Sequence, residues 1–155
     1  MPETKSTGVY PCYKNQFLID ITGGDGSTES NLKTIADMES FGVSIDGGIE
    51  EWSPYDMGGW KRNMVTGKSI TVSVSGKRNV GDAGNDYIES IAMKIGRECE
   101  TTLVWNFPSG AKLIIPCVIN VTEWSAGDST AVAPLVFDAV SNGKPTFIPA
   151  NNNEE

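Results

Sequence analysis

Hydrophobic and polar side chains alternate along most of the chain, the pattern of strands that bury one face. In "SITVSV", residues 69–74, the apolar positions are Ile70, Val72 and Val74, and "FGVSI", residues 41–45, has the same period of two. Residues 15–21 ("NQFLIDI") and the stretch around Leu135 and Phe137 add further predicted strands. The pattern predicts a mainly β domain.

A hairpin is predicted over residues 102–123. "TLVWNF" alternates up to a turn at 108–110 ("PSG"), and "AKLIIPCVINV" alternates again after it. Pro116 lies on the face opposite the apolar residues of its strand and cannot donate a ladder hydrogen bond. The second strand is therefore predicted to be an edge strand or to contain a bulge.

One segment has helical spacing instead. After "GDAGND", residues 81–86, apolar side chains recur at positions 87, 88, 91, 92 and 95. They predict a helix over about 85–96, with Asn85 or Asp86 as its N-cap and Gly96 at its C-terminal end. Because the apolar face of this helix must pack on a sheet, the predicted fold is a β-sandwich or barrel with one flanking helix, a mainly β (α+β) class.

A long loop is predicted over about 50–68, because Pro54 and the pair Gly58-Gly59 interrupt any regular element. Loops of this length in compact domains are usually functional. We interpret its aromatic residues, Trp52 and Trp60, as anchors that bury in another subunit. The alternative is that both fold back over a sheet edge. The other tryptophans, Trp105 and Trp124, are assigned to the core.

The two ends of the chain, about 1–14 and 141–155, are rich in proline, glycine and asparagine and are predicted to be extended arms of one domain that spans 1–155. The first residues carry no apolar run that would predict a signal peptide. No stretch reaches the roughly 18–20 apolar residues of a transmembrane helix. The cysteines, an odd and widely spaced set, are predicted to be reduced thiols.

The charge of the chain is −8 and is unevenly distributed. Residues 37–56 carry six acids and no base, whereas residues 61–78 carry five bases and no acid. An acidic chain is a poor ligand for nucleic acid or an anionic membrane. Complementary segments favour head-to-tail self-association. Histidine is absent, which argues against a histidine-dependent triad or a zinc enzyme, and no cofactor is predicted.

Three short motifs suggest chemistry that their contexts do not support. "TGKS", residues 66–69, lacks the earlier glycine of a phosphate-binding loop and precedes a strand. "DITGGDGSTES", residues 20–30, lacks the acid spacing of a calcium loop. Glu50 and Glu51 are adjacent on a strand, so their side chains point to opposite faces and do not form a catalytic pair.

Several of these pieces together resemble the tail tube (major tail) proteins of long-tailed phages and prophages of Gram-positive bacteria. The similarity covers about residues 36–140 and combines Gly59-Trp60, the "TGKS" segment, "GKR" at 76–78 and "GDAGND". It implies a β-sandwich with a flanking helix, assembled as hexameric rings that stack into a hollow tube. The protein would then be a structural, non-enzymatic part of the virion tail, made in the cytoplasm of the bacterial host.

The resemblance also implies partners and contact residues. The 50–68 loop would bridge rings, through the residues Trp52, Tyr55, Met57, Trp60, Lys61 and Arg62. Asp46 and Glu50 are candidates for an acidic lumen, through which DNA passes without specific binding. Tail tip or baseplate, tape measure and terminator proteins would be the other partners, and no membrane is expected.

Two alternatives to a tube of this kind stay open. One is the inner tube of a contractile phage tail or phage-like bacteriocin, which shares fold and role. The other is a monomeric carbohydrate-binding β-sandwich in which Trp52, Tyr55 and Trp60 stack on sugar rings. An enzyme ranks third, because no convincing catalytic set is present.

Overall fold

The computed structural model of the protein describes residues 8–150. It contains eight strands and one α-helix, with short 3₁₀ turns between them. The elements are β1 (Gln16–Asp20), β2 (Leu32–Thr34), β3 (Met38–Trp52), β4 (Arg62–Lys77), α1 (Ala83–Ser90), β5 (Glu100–Asn106), β6 (Lys112–Trp124), β7 (Pro134–Ser141) and β8 (Thr146–Ile148). The mainly β class with one helix is confirmed.

All strands belong to one antiparallel sheet in the order β2-β1-β5-β6-β7-β4-β3. Strand β8 pairs with β6 at Lys112–Ile114, where β5 already occupies the other edge of β6. Strand β8 therefore lies on the same edge of β6 as β7 does. The segment 142–145 connects the two strands and runs past Pro116. The C-terminal segment that was predicted to be an extended arm thus contributes a short strand to its own sheet. Residues 1–7 and 151–155 of the predicted arms lie outside the described residues.

The core lies between the curved sheet and α1. It is built from the inward residues of the central strands, which include Val72, Leu103, Ile115 and Phe137, all fully buried. Burial alternates along the body parts of β4, β6 and β7, so the period-two prediction is confirmed there, whereas residues 101–104 of β5 are all buried. A partly buried aromatic cluster borders this core, where Trp105 stacks on Phe107 with ring centroids 4.2 Å apart.

The helix begins and ends earlier than predicted. Asp82, not Asn85 or Asp86, is the N-cap, and its carboxylate accepts a hydrogen bond from the Asn85 backbone N–H at 3.0 Å. After Ile88 the backbone bonds tighten to an i→i−3 pattern, as in Ile91 N–H to the Ile88 carbonyl. The chain then leaves the helical path, so Gly96 is not its C-cap and Ile95 is 85% exposed instead of buried.

Two predictions about the β6 region, that the strand is at an edge or bulged and that Trp124 belongs to the core, have different outcomes. Strand β6 is central and not an edge strand, and it contains a bulge, between Val121 and Glu123. The Pro116 carbonyl accepts a hydrogen bond from the Asn142 N–H at 2.7 Å, on the side of β6 that faces β7. The N–H that proline lacks would point to this same side, beyond the end of β7, and not toward β5. A proline at this position costs no bond to β5. Trp124 is 41% exposed and donates its indole N–H to Glu89 instead of joining the core.

Candidate assembly surface

Strands β3 and β4 continue past the rest of the sheet as a two-stranded ribbon. The pairing of β4 with β7 stops at Thr71, whereas its pairing with β3 continues to Arg62. We call residues 46–69 the arm and residues 53–61 its tip. At about 3.3 Å per residue, the strands of the arm extend roughly 25 Å from the body. Every arm residue except Pro54 is exposed.

The predicted 50–68 loop is therefore mostly strand. Residues 50–52 end β3 and residues 62–68 begin β4, which leaves only the tip without ladder pairing. Proline and the glycine pair break regular structure at the tip alone, as their local chemistry requires. Ile45, predicted from alternation to face the core, is 61% exposed because the body ends beside it.

The tip is a compact turn that presents aromatic side chains. A 3₁₀ turn covers Tyr55–Met57, and the left-handed backbone of Gly58 and Gly59 (φ 59° and 93°) reverses the chain. Trp60 closes the turn with a backbone bond to Met57 at 3.1 Å. Trp60 is 77% exposed and Tyr55 is fully exposed, so neither packs on its own subunit. Of the alternatives for Trp60, folding back over the sheet edge is not observed.

Both sides of the arm combine exposed apolar and charged residues. The side that continues the core face carries Ile49 and Val65 together with Lys68 and Glu51. The strand alternation of β3 places Asp46 and Glu50 together on the other side, opposite Ser69 and Met64. The two lumen candidates thus share one face of the ribbon. Ile49 and Val65 were not among the predicted contact residues, and the signal for their exposure was strands longer than the usual 3–10 residues.

The acidic and basic segments are the two strands of one hairpin and face each other. Lys61 Nζ lies 3.0 Å from Glu51 Oε1, and Lys77 Nζ lies 3.4 Å from Glu39 Oε2. Part of the charge complementarity is therefore satisfied within the subunit, whereas Asp56 and Lys68 form no ion pair among residues 8–150. Most of this pairing is solvent-exposed and contributes little stability.

A small pocket lies at the root of the arm, where the pairing of β4 with β7 ends. Its volume is about 180 Å³. It is lined by Ile45, Lys68, Ser69, Ile70, Leu113, Ser141 and Pro145. The Ser141 hydroxyl accepts a hydrogen bond from the Ile70 N–H at 3.0 Å, which replaces the ladder bond lost at the end of β7. We call this cavity the root pocket.

Glycine residues form a narrow neck just above the root pocket. Gly47 and Gly48 lie on β3, Gly67 faces Gly48 across the ladder, and a bulge follows at Thr66. None of these glycines has a positive φ, and a Cβ at Gly67 would meet no atom within 4 Å. The fold of the subunit itself therefore does not require glycine at this position.

Other features of the described residues offer no chemical site. A wider groove of about 480 Å³ separates β1 and β2 from β3 and includes the exposed Cys12. Between residues 8 and 150 no histidine, cysteine or acidic cluster could hold a metal, and no helix is long and apolar enough to cross a bilayer.

Asp20 opens the segment 20–30, which lacks the acid spacing of a calcium loop. Burial opposes ionisation of the Asp20 carboxyl group. Hydrogen bonds from Thr22, Gly26 and Gly24 outweigh it and lower the pKa of Asp20.

Comparison of the chain with known proteins finds similarity only at the level of structure. No protein-family model and no curated protein sequence matches it. A chain in the tail of an empty gene transfer agent (GTA) particle, solved by helical refinement with C6 symmetry, superposes with a TM-score of 0.72 at 17% identity. A chain in the virion of a native GTA particle gives 0.69 at 16%. Each match covers 91% of this chain and all of the other. The protein therefore has the fold of chains found in GTA tails and virions.

Proposed function

We propose that the protein is a structural, non-enzymatic subunit of a phage-like tail tube. The observation that carries this proposal is the arm, which exposes aromatic and apolar residues on a ribbon that its own subunit leaves uncovered. An isolated two-stranded ribbon is marginal in water, and exposed apolar patches of this kind mark protein interfaces. The fold shared with chains of GTA particles, which are phage-like, gives that interface a context.

In the proposed assembly, six copies form a ring and rings stack into a tube. The C6 symmetry of the similar GTA tail supports the number six. Among residues 8–150, strand β3 pairs only with β4, which leaves its outer edge available to pair with a neighbouring copy. Such pairing within a closed ring would remove the aggregation hazard of an open edge. Residues in the tip and directly beside it would contact the next ring: Trp52, Tyr55, Met57, Trp60, Lys61 and Arg62.

The side of the sheet opposite the core is the proposed lumen surface. Beyond Asp46 and Glu50 it carries Asp138, which the register places on the same side as Ser73. Serine and threonine fill half of the remaining ladder positions on this side of β3 and β4. A carboxylate-bearing surface repels phosphate, so DNA would pass without the retention that a basic lumen causes.

The finer identity follows the resemblance. We infer a major tail protein of a long-tailed phage or prophage of a Gram-positive host, synthesised in the host cytoplasm and incorporated in the virion tail. Tail tip or baseplate, tape measure and terminator proteins are its expected partners. The tube of a contractile particle has the same subunit role and stays the first alternative. A carbohydrate-binding module is the second, because the tip aromatics are exposed.

Electron microscopy of concentrated protein tests the proposal. We expect rings or tubes with six-fold symmetry for the wild type. Trp60→Ala should leave the melting temperature unchanged and weaken assembly, because truncating an aromatic hot spot costs about 2 kcal/mol or more. Ile95→Ala, an exposed apolar residue outside the arm, is the matched control and should assemble normally.

Two outcomes would contradict the proposal. A protein that stays monomeric at all concentrations and binds polysaccharide through the tip would support the carbohydrate-binding alternative. A tube map in which Asp46 and Glu50 point away from the bore would remove the proposed lumen surface while leaving the tube intact.

A further inference from the structure

The root pocket is open and its size limits what it can hold. Its walls are largely apolar, formed by Ile45, Ile70, Leu113 and Pro145. An apolar cavity of about 150 Å³ accommodates a benzene molecule. The root pocket, at about 180 Å³, therefore fits one single-ring aromatic side chain but is small for an indole.

Polar groups in the lining of the pocket favour a particular aromatic ring. Ser69 and Ser141 line it, and the Ser141 hydroxyl already accepts from the Ile70 N–H, which leaves its own proton to donate. Lys68 adds a positive charge to the lining and makes no ion pair within residues 8–150. The pocket is thus suited to a ring that ends in a hydroxyl and has an acid beside it.

The tip of the arm carries a side chain of this kind. Tyr55 is fully exposed, and Asp56 follows it without an ion pair among the described residues. Buried tyrosines need a partner for their hydroxyl, which the two serines could supply. Because the ladder holds the tip roughly 25 Å from the root, Tyr55 cannot reach the pocket of its own subunit.

We propose that Tyr55 of one copy inserts into the root pocket of a second copy, with Asp56 beside Lys68. The contact uses different surfaces on the two copies, so it is heterologous and repeats from copy to copy. This inference rests on the proposed function, since it names the receptor of the arm in the next ring. It also accounts for Trp60, which would cover the rim and exclude water around the inserted ring.

Cysteine cross-linking tests the contact directly. Asp56→Cys combined with Lys68→Cys should give a ladder of dimers, trimers and longer species on oxidation, because each chain carries both halves of the contact. Either single variant should give no such ladder. Cys99 and Cys117 are buried, and burial raises the pKa of Cys117 to about 12, so neither should react.

The native Cys12 tests whether the tip binds in the wider groove instead of the root pocket. It lines the wider groove between β1 and β3, so Asp56→Cys alone would cross-link to Cys12 if the tip entered that groove. That result would overturn the inference. So would wild-type tubes without a ladder for the double variant, an outcome that leaves the proposed function intact. A ladder without rings or tubes would support the contact and overturn the tail proposal instead.

A second measurement separates side-chain chemistry from folding. Tyr55→Ala should raise the critical concentration for assembly at least tenfold, whereas Tyr55→Phe should raise it only a few-fold. Asp56→Lys should also weaken assembly, and adding Lys68→Asp should restore it, because the reversed pair attracts again. Failure of the double reversal to restore assembly, with the monomer still folded, would contradict the charge contact.

Discussion

Gly76 and Gly84 lie in close contact with the backbone of the segment 34–38, which connects β2 to β3. A Cβ at Gly76 would overlap the Asp37 carbonyl oxygen, and one at Gly84 would overlap the Thr34 carbonyl oxygen. Asn85, fully buried between them, donates to the carbonyls of Ala36 and Lys77 and accepts from Arg78. The "GKR" and "GDAGND" motifs thus hold α1 against the sheet through close packing and hydrogen bonds, so their role is structural.

Gly84→Ala should destabilise the monomer. Alanine gains about 1 kcal/mol of helix propensity, but overlap with a backbone oxygen costs about 2–3 kcal/mol. We expect the melting temperature to fall by about 2–8 °C. Gly42→Ala is the control, because its Cβ would meet no atom within 4 Å and its φ is not positive. An equal loss in both variants would contradict the close-approach argument.

The ion pairs of Arg78 predict loss of stability in acid. Its guanidinium, almost buried, hydrogen-bonds Asp86 and Glu89 and lowers the pKa of both. A carboxylate with a lowered folded-state pKa stabilises the protein above its unfolded pKa, and this contribution is lost as the pH falls. The melting temperature should therefore hold from pH 7 to about 5 and decrease below about pH 4.5. Arg78→Met should be less stable at pH 7 and show a weaker decrease, whereas equal slopes would contradict this assignment.

At the scale of elements, local patterns predicted the body well and the arm poorly. Alternation correctly assigned Val72, Val74 and Phe137 to the core, because those strands have neighbours on both sides. The same alternation misplaced Ile45, since whether a strand is covered depends on where β7 ends, and no local signal encodes that. The aromatic tip was found because proline and glycine mark turns directly. The root pocket could not be predicted, because residues 45, 113 and 145 that line it are far apart in the sequence.

The glycine neck should act as a hinge between body and arm. Glycine within a strand lowers its stiffness, and here it coincides with a bulge and with the loss of β7 as a neighbour. Gly48→Ala with Gly67→Ala should narrow the distance distribution between spin labels on Asp56→Cys and Met93→Cys in a Cys12→Ser background. Gly42→Ala, inside the body, should leave the distribution unchanged. Equal widths in all three proteins would show that the neck does not set arm mobility.

At the scale of the whole molecule, the body and the arm have separable tasks. The core lies entirely within the body, whereas the arm residues are exposed. Removing the arm should therefore spare folding and abolish assembly.

Ile45 and Ile70 are direct partners in the ladder, so an Asn-Gly turn can join them in place of residues 46–69. We expect this variant to melt within a few degrees of the wild type and to remain monomeric in light scattering. Tubes formed without the arm would contradict its proposed role, and an unfolded product would show that the arm contributes to the core.

The separation of tip and root pocket also gives any stack of copies a direction. If each tip fills the root pocket of the next copy, one end of the stack exposes only tips and the other only empty pockets. The two ends are then chemically different surfaces, and growth at each is governed by a different half of the contact. A protein that starts the tube and a protein that stops it would have to bind different features of the subunit. One would bind the empty root pockets at one end, and the other would bind the exposed tips at the opposite end. Polarity of the whole particle would follow from the spacing of the tip and the root pocket on one subunit.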